Sequence, residues 1–326
     1  PTPPLLASSP MHEATIRYRS VVADSARWEG FPFREGDIVI STPSKCGTTW
    51  TQMLCALLIF QTPDFDRPLT EISPWLDMLT ADRGELVSAL EAQPHRRFIK
   101  THTPLDGLPL DDRATYICVG RDPRDVGFSW SNHRTNLDMD AFFAARSKAV
   151  GLEDVDELLP DGPPEMPPTE IERFWQWVED TRPASESPVG LALLLHHVRT
   201  FWPATTGAPN LVLLHYDDLQ ADLDGQMRYL ARRLGIDVPE QRWPELVPAA
   251  RFDEMRRRAD DLVPNRGDAL WHDNAKFFHR GTSGQWRTRL NEDDLRRYHL
   301  RVAELDDPEV AGWLHSRPGG SRPLTG

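Results

Sequence analysis

The chain has 326 residues, of which 39% are hydrophobic and 27% are charged, and its formal net charge is -13. These values are ordinary for a globular protein, and the acidic balance argues against general nucleic-acid binding and against docking to an anionic membrane surface. The three cysteines form no metal-ligand or disulfide pattern, and the apolar runs are too short for a signal peptide or a membrane span, so we expect a reduced, cytoplasmic protein.

The first predicted unit is a strand, a loop and a helix. The β-branched apolar run at 37–41 predicts a buried strand, and apolar residues recur at helical spacing from Thr48 onward. The loop between them carries Lys45 and a single glycine, Gly47. A helix N-terminus presents free backbone N–H groups to anions, and Lys45 adds a full charge. Because Lys45 precedes the glycine, the loop is not the ATP-binding pattern, and a phosphate site and a solvated lysine both stay open.

The sequence of this loop resembles a known motif. P-x-K-C-G-T-T-W resembles the P-K-S-G-T-T-W loop of the cytosolic-type sulfotransferases, which move a sulfuryl group from 3′-phosphoadenosine 5′-phosphosulfate (PAPS) to an acceptor and release 3′,5′-adenosine bisphosphate (PAP). A cysteine replaces the family's serine, and Ser44 is one extra residue between the proline and the lysine. The resemblance implies that the lysine stabilises the leaving phosphate. It also implies that the cofactor contacts Lys45, Cys46, Gly47, Thr48, Thr49 and Trp50.

A second strand is predicted at 97–101, followed by His102. Ligands of parallel α/β sheets bind beyond the carboxyl ends of the strands, so Lys100 and His102 are expected beside Lys45. The alternative for His102 is a structural role, which is more common for a lone histidine before a turn. The segment K-T-H-T-P-L-D-G-L-P resembles the family's K-T-H-L-P-x-x-L-L-P. The resemblance implies that His102 is the general base and Lys100 a supporting charge. We expect the pKa of His102 near its ordinary value, which suits proton transfer at neutral pH.

The third predicted strand, 115–120, is almost wholly apolar and leads into a predicted helix. The run R-D-P-R-D-V-G-F-S resembles the family's R-[ND]-x-[KR]-D-x-x-x-S motif. The resemblance implies that Arg121 and Ser129 hold the 3′-phosphate of the cofactor, which agrees with the bidentate geometry of a guanidinium. The alternative is a helix-start ion network in which Arg121 pairs with Asp122 or Asp125.

The region 134–182 is predicted to be an irregular insertion. Its tract 153–168 is acidic and rich in proline, a composition that disfavours a packed core. Thr169 and Glu172 then form a capping-box pattern, which opens a helix that carries Phe174, Trp175 and Trp177. We predict a mobile lid whose aromatic helix closes over the acceptor. The alternative is a surface insertion whose helix is fixed to the body of the protein.

The fourth predicted strand, 211–216, precedes a single predicted helix capped by Asp217. Three later segments also resemble the family: L-H-Y-D-D-L resembles Y-E-D-L/M, F-D-E-M resembles S-F-x-x-M, and H-R-G-T-S-G-Q-W resembles R-K-G-x-x-G-D-W. They imply that the adenine lies beside Tyr216 and between Trp50 and Phe252. They also imply that the 3′-phosphate is bound by His279, Arg280 and Gly281.

The resemblance covers roughly residues 37–286 and implies an α/β fold, with a P-loop-like central parallel sheet flanked by helices. One domain would span 1–326, with its core at about 37–290. PAPS would be the co-substrate, and no metal is expected. The family's dimer motif is not matched, so the oligomeric state stays open. The stretches F-I-K-T-H-T-P-L-D-G-L and Y-I-C-V-G-R-D-P-R-D are most similar to mycobacterial and related actinobacterial sulfotransferases, including those assigned to glycolipids, so we expect a small, hydrophobic or glycolipid hydroxyl acceptor.

Two other functions fit parts of the pattern. A magnesium-dependent nucleotide-using kinase would share the strand–loop–helix unit, but it needs the lysine after the glycine and an aspartate for the metal. Magnesium-dependent ATP turnover would support the kinase. A non-catalytic regulator that binds adenosine bisphosphate would keep Arg121 and Ser129 but would not need both Lys45 and His102, so the joint presence of these two side chains argues against it.

Overall fold

The sheet is built from four parallel strands. The computed structural model describes residues 12–262, 270–273, 281–305 and 307–316. Within these ranges the strands are Ile38–Ser41 (β1), Phe98–Thr101 (β2), Thr115–Gly120 (β3) and Leu211–His215 (β4). They pair in the order β2-β1-β3-β4, and each begins and ends within one residue of its predicted bounds. The predicted α/β class with a central parallel sheet is confirmed.

Helices cover both faces of the sheet. In chain order, the α-helices of the described residues are Thr48–Phe60 (α1), Leu69–Ile72 (α2), Arg83–Glu91 (α3), Pro123–Asn136 (α4), Met139–Val150 (α5), Val155–Leu158 (α6), Glu170–Val178 (α7), Leu191–Thr200 (α8), Tyr216–Ala221 (α9), Leu223–Arg233 (α10), Trp243–Ala249 (α11), Phe252–Arg257 (α12), Ala259–Leu262 (α13), Glu292–Glu304 (α14) and Pro308–Leu314 (α15). Short 3-10 turns lie at Ser25–Trp28, Leu105–Gly107, Trp202–Thr206, Glu240–Arg242 and Gln285–Thr288.

The alternation of side chains along β1 divides the core into two layers. Ile38 and Ile40 pack in the layer that contains α1 and α10, whereas Val39 packs in the layer that contains α4 and α8. All three side chains are fully buried. A strand that is covered on both faces is apolar throughout, which is why a continuous β-branched run predicted it.

The order of the strands opens a crevice at the carboxyl edge of the sheet. From β1 the chain crosses to β2 on one side, and it then returns to β3 on the other side of β1. The connections that leave β1 and β3 therefore run apart. Ligands of open α/β sheets bind in such a crevice, so the fold directs attention to the residues that follow these two strands.

The segment after β4 differs from its prediction. It forms two helices rather than one, because Asp222 ends α9 and its side chain caps α10 by accepting from the backbone N–H of Gly225. The cap of α9 is the side chain of His215, which accepts from the N–H of Asp217. Asp217 is therefore not the cap, since it already lies inside the first helical turn.

The aromatic helix of the insertion has the predicted capping box but packs against α4. Phe174 stacks on Phe128 with 4.5 Å between ring centroids. A Cβ at Gly127 would come within 2.7 Å of the Phe174 ring and 3.0 Å of Trp177, so the glycine allows the two helices to approach. These aromatic side chains pack into the body, as the surface-insertion alternative predicted. Movement of 134–182 as a lid stays a prediction.

Candidate active site

A cavity of about 330 Å³ opens at the carboxyl edge of the sheet. Residues that follow each of the four strands line it. Among the residues predicted from the sequence, the cavity brings together Lys45, Gly47, Thr48, Thr49, Trp50, Lys100, His102, Arg121, Ser129, Tyr216, Phe252 and Gly281. The predictions for His279 and Arg280 lie outside the described residues.

The loop between β1 and α1 has the features of an anion site. Gly47 is the N-cap of α1 with a φ of 99°, and no side chain caps this helix. The first-turn N–H groups are therefore not covered by a side chain, and Thr48 and Thr49 line the cavity beside them. Lys45 has a φ of 68°, in the left-handed region that residues with a Cβ seldom adopt. Such strain persists where the surroundings hold the residue in place, as functional loops do.

Cys46 is the exception in this loop. Its side chain is fully buried in the core layer that contains Val39 and Cys118, and burial raises the pKa of the thiol to about 12. Cys46 is not among the residues that line the cavity. The structure therefore directs the Cys46 side chain into the core, because a small uncharged thiol is more stable there than at a polar surface. A contact between Cys46 and the cofactor stays a prediction.

Two lysines face the cavity, and burial alters the acid–base properties of both. Burial, together with the nearby Arg121 and Lys100, lowers the pKa of Lys45 to about 7. Burial also lowers the pKa of Lys100 to about 8, although Asp77 raises it. The Lys100 amine lies 4.5 Å from the centre of the Trp75 ring. A bound anion would favour the charged forms of both lysines, so the cavity gains positive charge when an anion binds.

His102 is held in one orientation. Its Nδ1 lies 2.7 Å from the carbonyl oxygen of Thr42, and since a carbonyl only accepts, Nδ1 carries the proton and Nε2 is the acceptor. The Trp75 ring meets the imidazole edge to face at 4.7 Å. Burial, and next the nearby Lys100, lower the pKa of His102 well below its ordinary value. The expectation of a near-ordinary pKa is therefore wrong, because the sequence does not reveal how deeply the imidazole is buried among cations.

Arg121 connects β3 to the phosphate loop. Its guanidinium donates to the carbonyl oxygen of Lys45 at 3.0 Å and to that of Thr282 at 3.3 Å. Its Nε is buried and has no hydrogen-bond partner among the described residues. Ser129 lies about two turns further along, on α4, and also lines the cavity. A buried guanidinium with an unused donor is suited to a phosphate, which offers several acceptor oxygens.

The two aspartates that could neutralise Arg121 have other partners. Asp122 accepts from the backbone N–H of Arg124 at 3.0 Å and forms an ion pair with its guanidinium at 2.7 Å. Asp125 accepts from the backbone N–H of Gly284 at 2.6 Å, and burial raises the pKa of this carboxyl. The helix-start ion network that was the alternative for Arg121 is thus built around Arg124 instead.

Aromatic side chains form another part of the cavity wall. Trp50 donates from Nε1 to the carbonyl oxygen of Ala250 at 2.8 Å and meets Tyr216 edge to face at 5.2 Å. Gly281 has a φ of 62° and approaches Phe252 so closely that a methyl group at Gly281 would overlap the ring. Flat apolar surfaces of this kind are suited to a planar ring such as a purine.

His133 is a cavity residue that the sequence reasoning missed. It lines the cavity, and its Nδ1 lies 3.1 Å from the amine of Lys45. The available signal was its position four residues after Ser129, because residues at that spacing share one face of a helix.

Asp77 is a second missed residue. It is fully buried, lines the cavity and accepts hydrogen bonds from Thr101 at 2.7 Å and Thr103 at 2.6 Å. These bonds fix the end of β2, which carries Lys100 and is followed directly by His102. No local signal marks Asp77, because its partners are more than twenty residues away in the chain.

The comparisons with known proteins decide the family. A family model with the description "Sulfotransferase domain" matches residues 35–305. The chain belongs to the sulfotransferase family. It is 41% identical to the glycolipid sulfotransferase of Mycobacterium bovis over 325 residues, which cover 96% of this chain and 98% of that protein. It is also 41% identical to the glycolipid sulfotransferase of Mycobacterium tuberculosis over 329 residues, with the same coverage.

The fold of this sulfotransferase is shared with solved structures. A mouse sulfotransferase complexed with PAP superposes with a TM-score of 0.64 at 19% identity, covering 93% of this chain and 97% of that one. The predicted enzyme class is confirmed, and the kinase alternative is not consistent with the family. In the part of the chain that the structure describes, no helix has both the length and the apolar character needed to cross a bilayer. The three cysteines are buried free thiols.

Proposed function

We propose that this sulfotransferase transfers a sulfuryl group from PAPS to a hydroxyl of a glycolipid or a similarly hydrophobic acceptor. The observation that carries the proposal is the convergence of Lys45, Arg121 and the oriented imidazole of His102 on one cavity. The names of the 41% identical relatives support a glycolipid acceptor. The PAP in the complex of the mouse sulfotransferase supports the donor.

The residues of the cavity fit an adenosine that carries a phosphate at each end. The uncapped N-terminus of α1 and Lys45 would bind the 5′-phosphate, since both supply positive charge and N–H donors. Arg121, with its unused Nε donor, and Ser129 would bind the 3′-phosphate. Phe252, Trp50 and Tyr216 offer apolar ring surface to the adenine.

The proposed mechanism starts at His102. Its Nε2 accepts the proton of the acceptor hydroxyl while a lone pair of the hydroxyl oxygen forms the new bond to sulfur. Bound PAPS supplies the sulfuryl group, whose bond to the 5′-phosphate breaks with the electron pair remaining on the phosphate. Lys45 and the N-terminus of α1 stabilise the negative charge that collects there. The products are a sulfate ester, PAP and a proton that leaves from His102.

The low pKa of His102 fits this role when the donor is considered. In the free enzyme the imidazole is neutral at neutral pH, so it is ready to accept a proton, but it is a weak base. The negative charge of a bound donor offsets Lys45 and Lys100. The pKa of His102 would then rise toward its ordinary value when proton transfer is needed.

Part of the remaining cavity wall is apolar. This apolar part includes Val22, Met78, Leu137, Met139, Phe142 and Leu270. Ligand cavities of this composition bury the apolar part of a ligand and orient it with a few polar groups. A hydroxyl-bearing head group would lie near His102, with its hydrophobic part along this wall.

The direct test is transfer of labelled sulfate. The purified enzyme is incubated with sulfur-labelled PAPS and, in separate reactions, a neutral glycolipid, a sterol and a simple phenol. We expect label in the glycolipid at the highest kcat/KM. Labelling of none of these acceptors at any pH from 6 to 9, despite tight PAP binding, would instead support the non-catalytic regulator.

Binding of PAP should take up protons above neutral pH. Because the pKa of Lys45 is about 7 in the free enzyme, roughly nine-tenths of these amines are neutral at pH 8. A bound phosphate raises that pKa, so the amine becomes charged on binding and the affinity for PAP falls as the pH rises above 7. Isothermal titration at pH 8 in buffers with different ionisation heats measures the uptake. A Lys45→Met variant is the control and should lose most of the proton uptake. Equal binding heats in all buffers for the wild type would contradict the assignment of this uptake to Lys45.

A methyl group at Gly281 should weaken PAP binding. The added Cβ would overlap the Phe252 ring and displace it from the cavity wall. We expect Gly281→Ala to weaken PAP binding by roughly tenfold, about 1.4 kcal/mol. Gly235→Ala is the matched control, because Gly235 has the same φ of 62° but no atom within 4 Å of the added carbon. Unchanged PAP affinity in Gly281→Ala would show that Phe252 does not contact the nucleotide.

A further inference from the structure

The amine of Lys45 has a defined partner in the cavity. It lies 3.1 Å from Nδ1 of His133. When a bound donor keeps the amine charged, the ammonium group carries only donors, so in this contact the lone pair of Nδ1 accepts and the imidazole proton is on Nε2. Burial, and next the nearby Lys45 and Lys100, lower the pKa of His133 well below its ordinary value, so the ring stays neutral and keeps the lone pair.

The imidazole of His133 is itself held in place. It contacts two tryptophans, with ring centroids 5.4 Å from Trp130 and 4.5 Å from Trp271. His133 and Trp130 are both on α4, a helix of 14 residues that is anchored in the core. A ring packed in this way has little freedom to rotate, so its Nδ1 is a fixed acceptor.

The backbone of Lys45 is fixed by the same part of the fold. Its carbonyl oxygen accepts from Arg121, which follows β3, and the left-handed φ of 68° shows that the loop is held in an uncommon conformation. The flexible four-carbon stem of Lys45 therefore runs between a fixed main chain and the fixed Nδ1 of His133. The unit formed by β3 and α4 therefore holds both the main chain and the amine of this lysine.

We propose that His133 is a positioning residue that holds the Lys45 amine where the leaving phosphate is stabilised. The inference rests on the proposed function, since it assigns His133 a purpose in that reaction. A lysine that is placed before the reaction loses less rotational freedom in the transition state, where the charge on the leaving phosphate is large, so the benefit is greater in kcat than in the affinity for PAPS. His133 differs in this from His102, whose Nδ1 is bound to the carbonyl of Thr42 and whose Nε2 is the acceptor.

Two substitutions separate positioning from packing. His133→Phe keeps a ring beside the tryptophans but removes the acceptor, and we expect kcat to fall by roughly tenfold to a hundredfold while the melting temperature and the KM for PAPS stay close to wild type. His133→Asn places an amide oxygen near the position of Nδ1, and we expect it to restore kcat to within about threefold of wild type.

A double-mutant cycle tests whether His133 acts through Lys45. If it does, His133→Phe should have no further effect on kcat in a Lys45→Ala background, because the group that it positions is gone. Additive losses would overturn the proposal and indicate that His133 acts on the acceptor directly. Unchanged kcat in His133→Phe, or no recovery in His133→Asn, would also overturn it. The proposed function fails separately, if the wild-type enzyme transfers no sulfate at all.

Discussion

Replacing His102 with alanine should lower kcat for sulfate transfer by about a hundredfold or more. The structure gives the reason: Nδ1 is occupied by the carbonyl of Thr42, so Nε2 is the one ring nitrogen able to take the hydroxyl proton. PAP affinity should stay within about twofold of wild type, because the imidazole is assigned to the acceptor and not to either phosphate. Steady-state kinetics at saturating PAPS and titration with PAP measure the two quantities.

The control for this variant is His272→Ala. The side chain of His272 is 58% exposed, lies 3.7 Å from Asp138 and is not among the residues that line the cavity. We expect its kcat to equal that of the wild type. If His102→Ala also turned over at the wild-type rate, another group would have to be the base, and the proposed mechanism would be incorrect.

The second large effect is expected for Arg121. Arg121→Ala should reduce the affinity for PAP by about 2 kcal/mol or more, roughly thirtyfold, because a charge-assisted bond to the 3′-phosphate is lost. The affinity for adenosine 5′-monophosphate, which lacks this phosphate, should change little. The ratio of the two constants is the informative quantity, since a general disturbance of the loop that Arg121 supports would weaken both ligands alike.

Arg19 provides the matched control for Arg121. It also lines the cavity, but it already forms ion pairs with Asp154 at 3.0 Å and Glu157 at 2.9 Å. Arg19→Ala should leave the preference for PAP over adenosine monophosphate unchanged. Equal preferences in wild type and Arg121→Ala would remove the assigned role of Arg121, whatever the effect on absolute affinity.

The fold was predictable because its strands are buried on both faces. The continuous apolar runs around Val39 and Ile117 indicate covered parallel strands directly, and such runs contain no competing helical period. Helix boundaries were predicted less well. The helix after β4 was predicted as one, because its apolar residues keep a helical spacing on both sides of Asp222, whereas the side chain of Asp222 interrupts it by capping a second helix.

The candidate site was predictable where motif and fold agree. Lys45, His102 and Arg121 each follow a strand, so the parallel sheet alone brings them to one edge. The burial of the Cys46 side chain was not predictable, because a motif gives the position of a residue in the sequence but not the direction of its side chain. His133 and Asp77 were missed because their roles depend on tertiary contacts, and the low pKa of His102 depends on burial, which no short segment encodes.

We expect two separate phosphate sites at the ends of one adenosine, with His102 beside the sulfur-bearing end. The decisive experiment is a crystal structure of the protein with PAP. We predict the 5′-phosphate at the N-terminus of α1 within hydrogen-bond distance of Lys45, and the 3′-phosphate within hydrogen-bond distance of Arg121 and Ser129. PAP bound elsewhere, bound with the two phosphates exchanged, or absent at saturating concentration would contradict the claim.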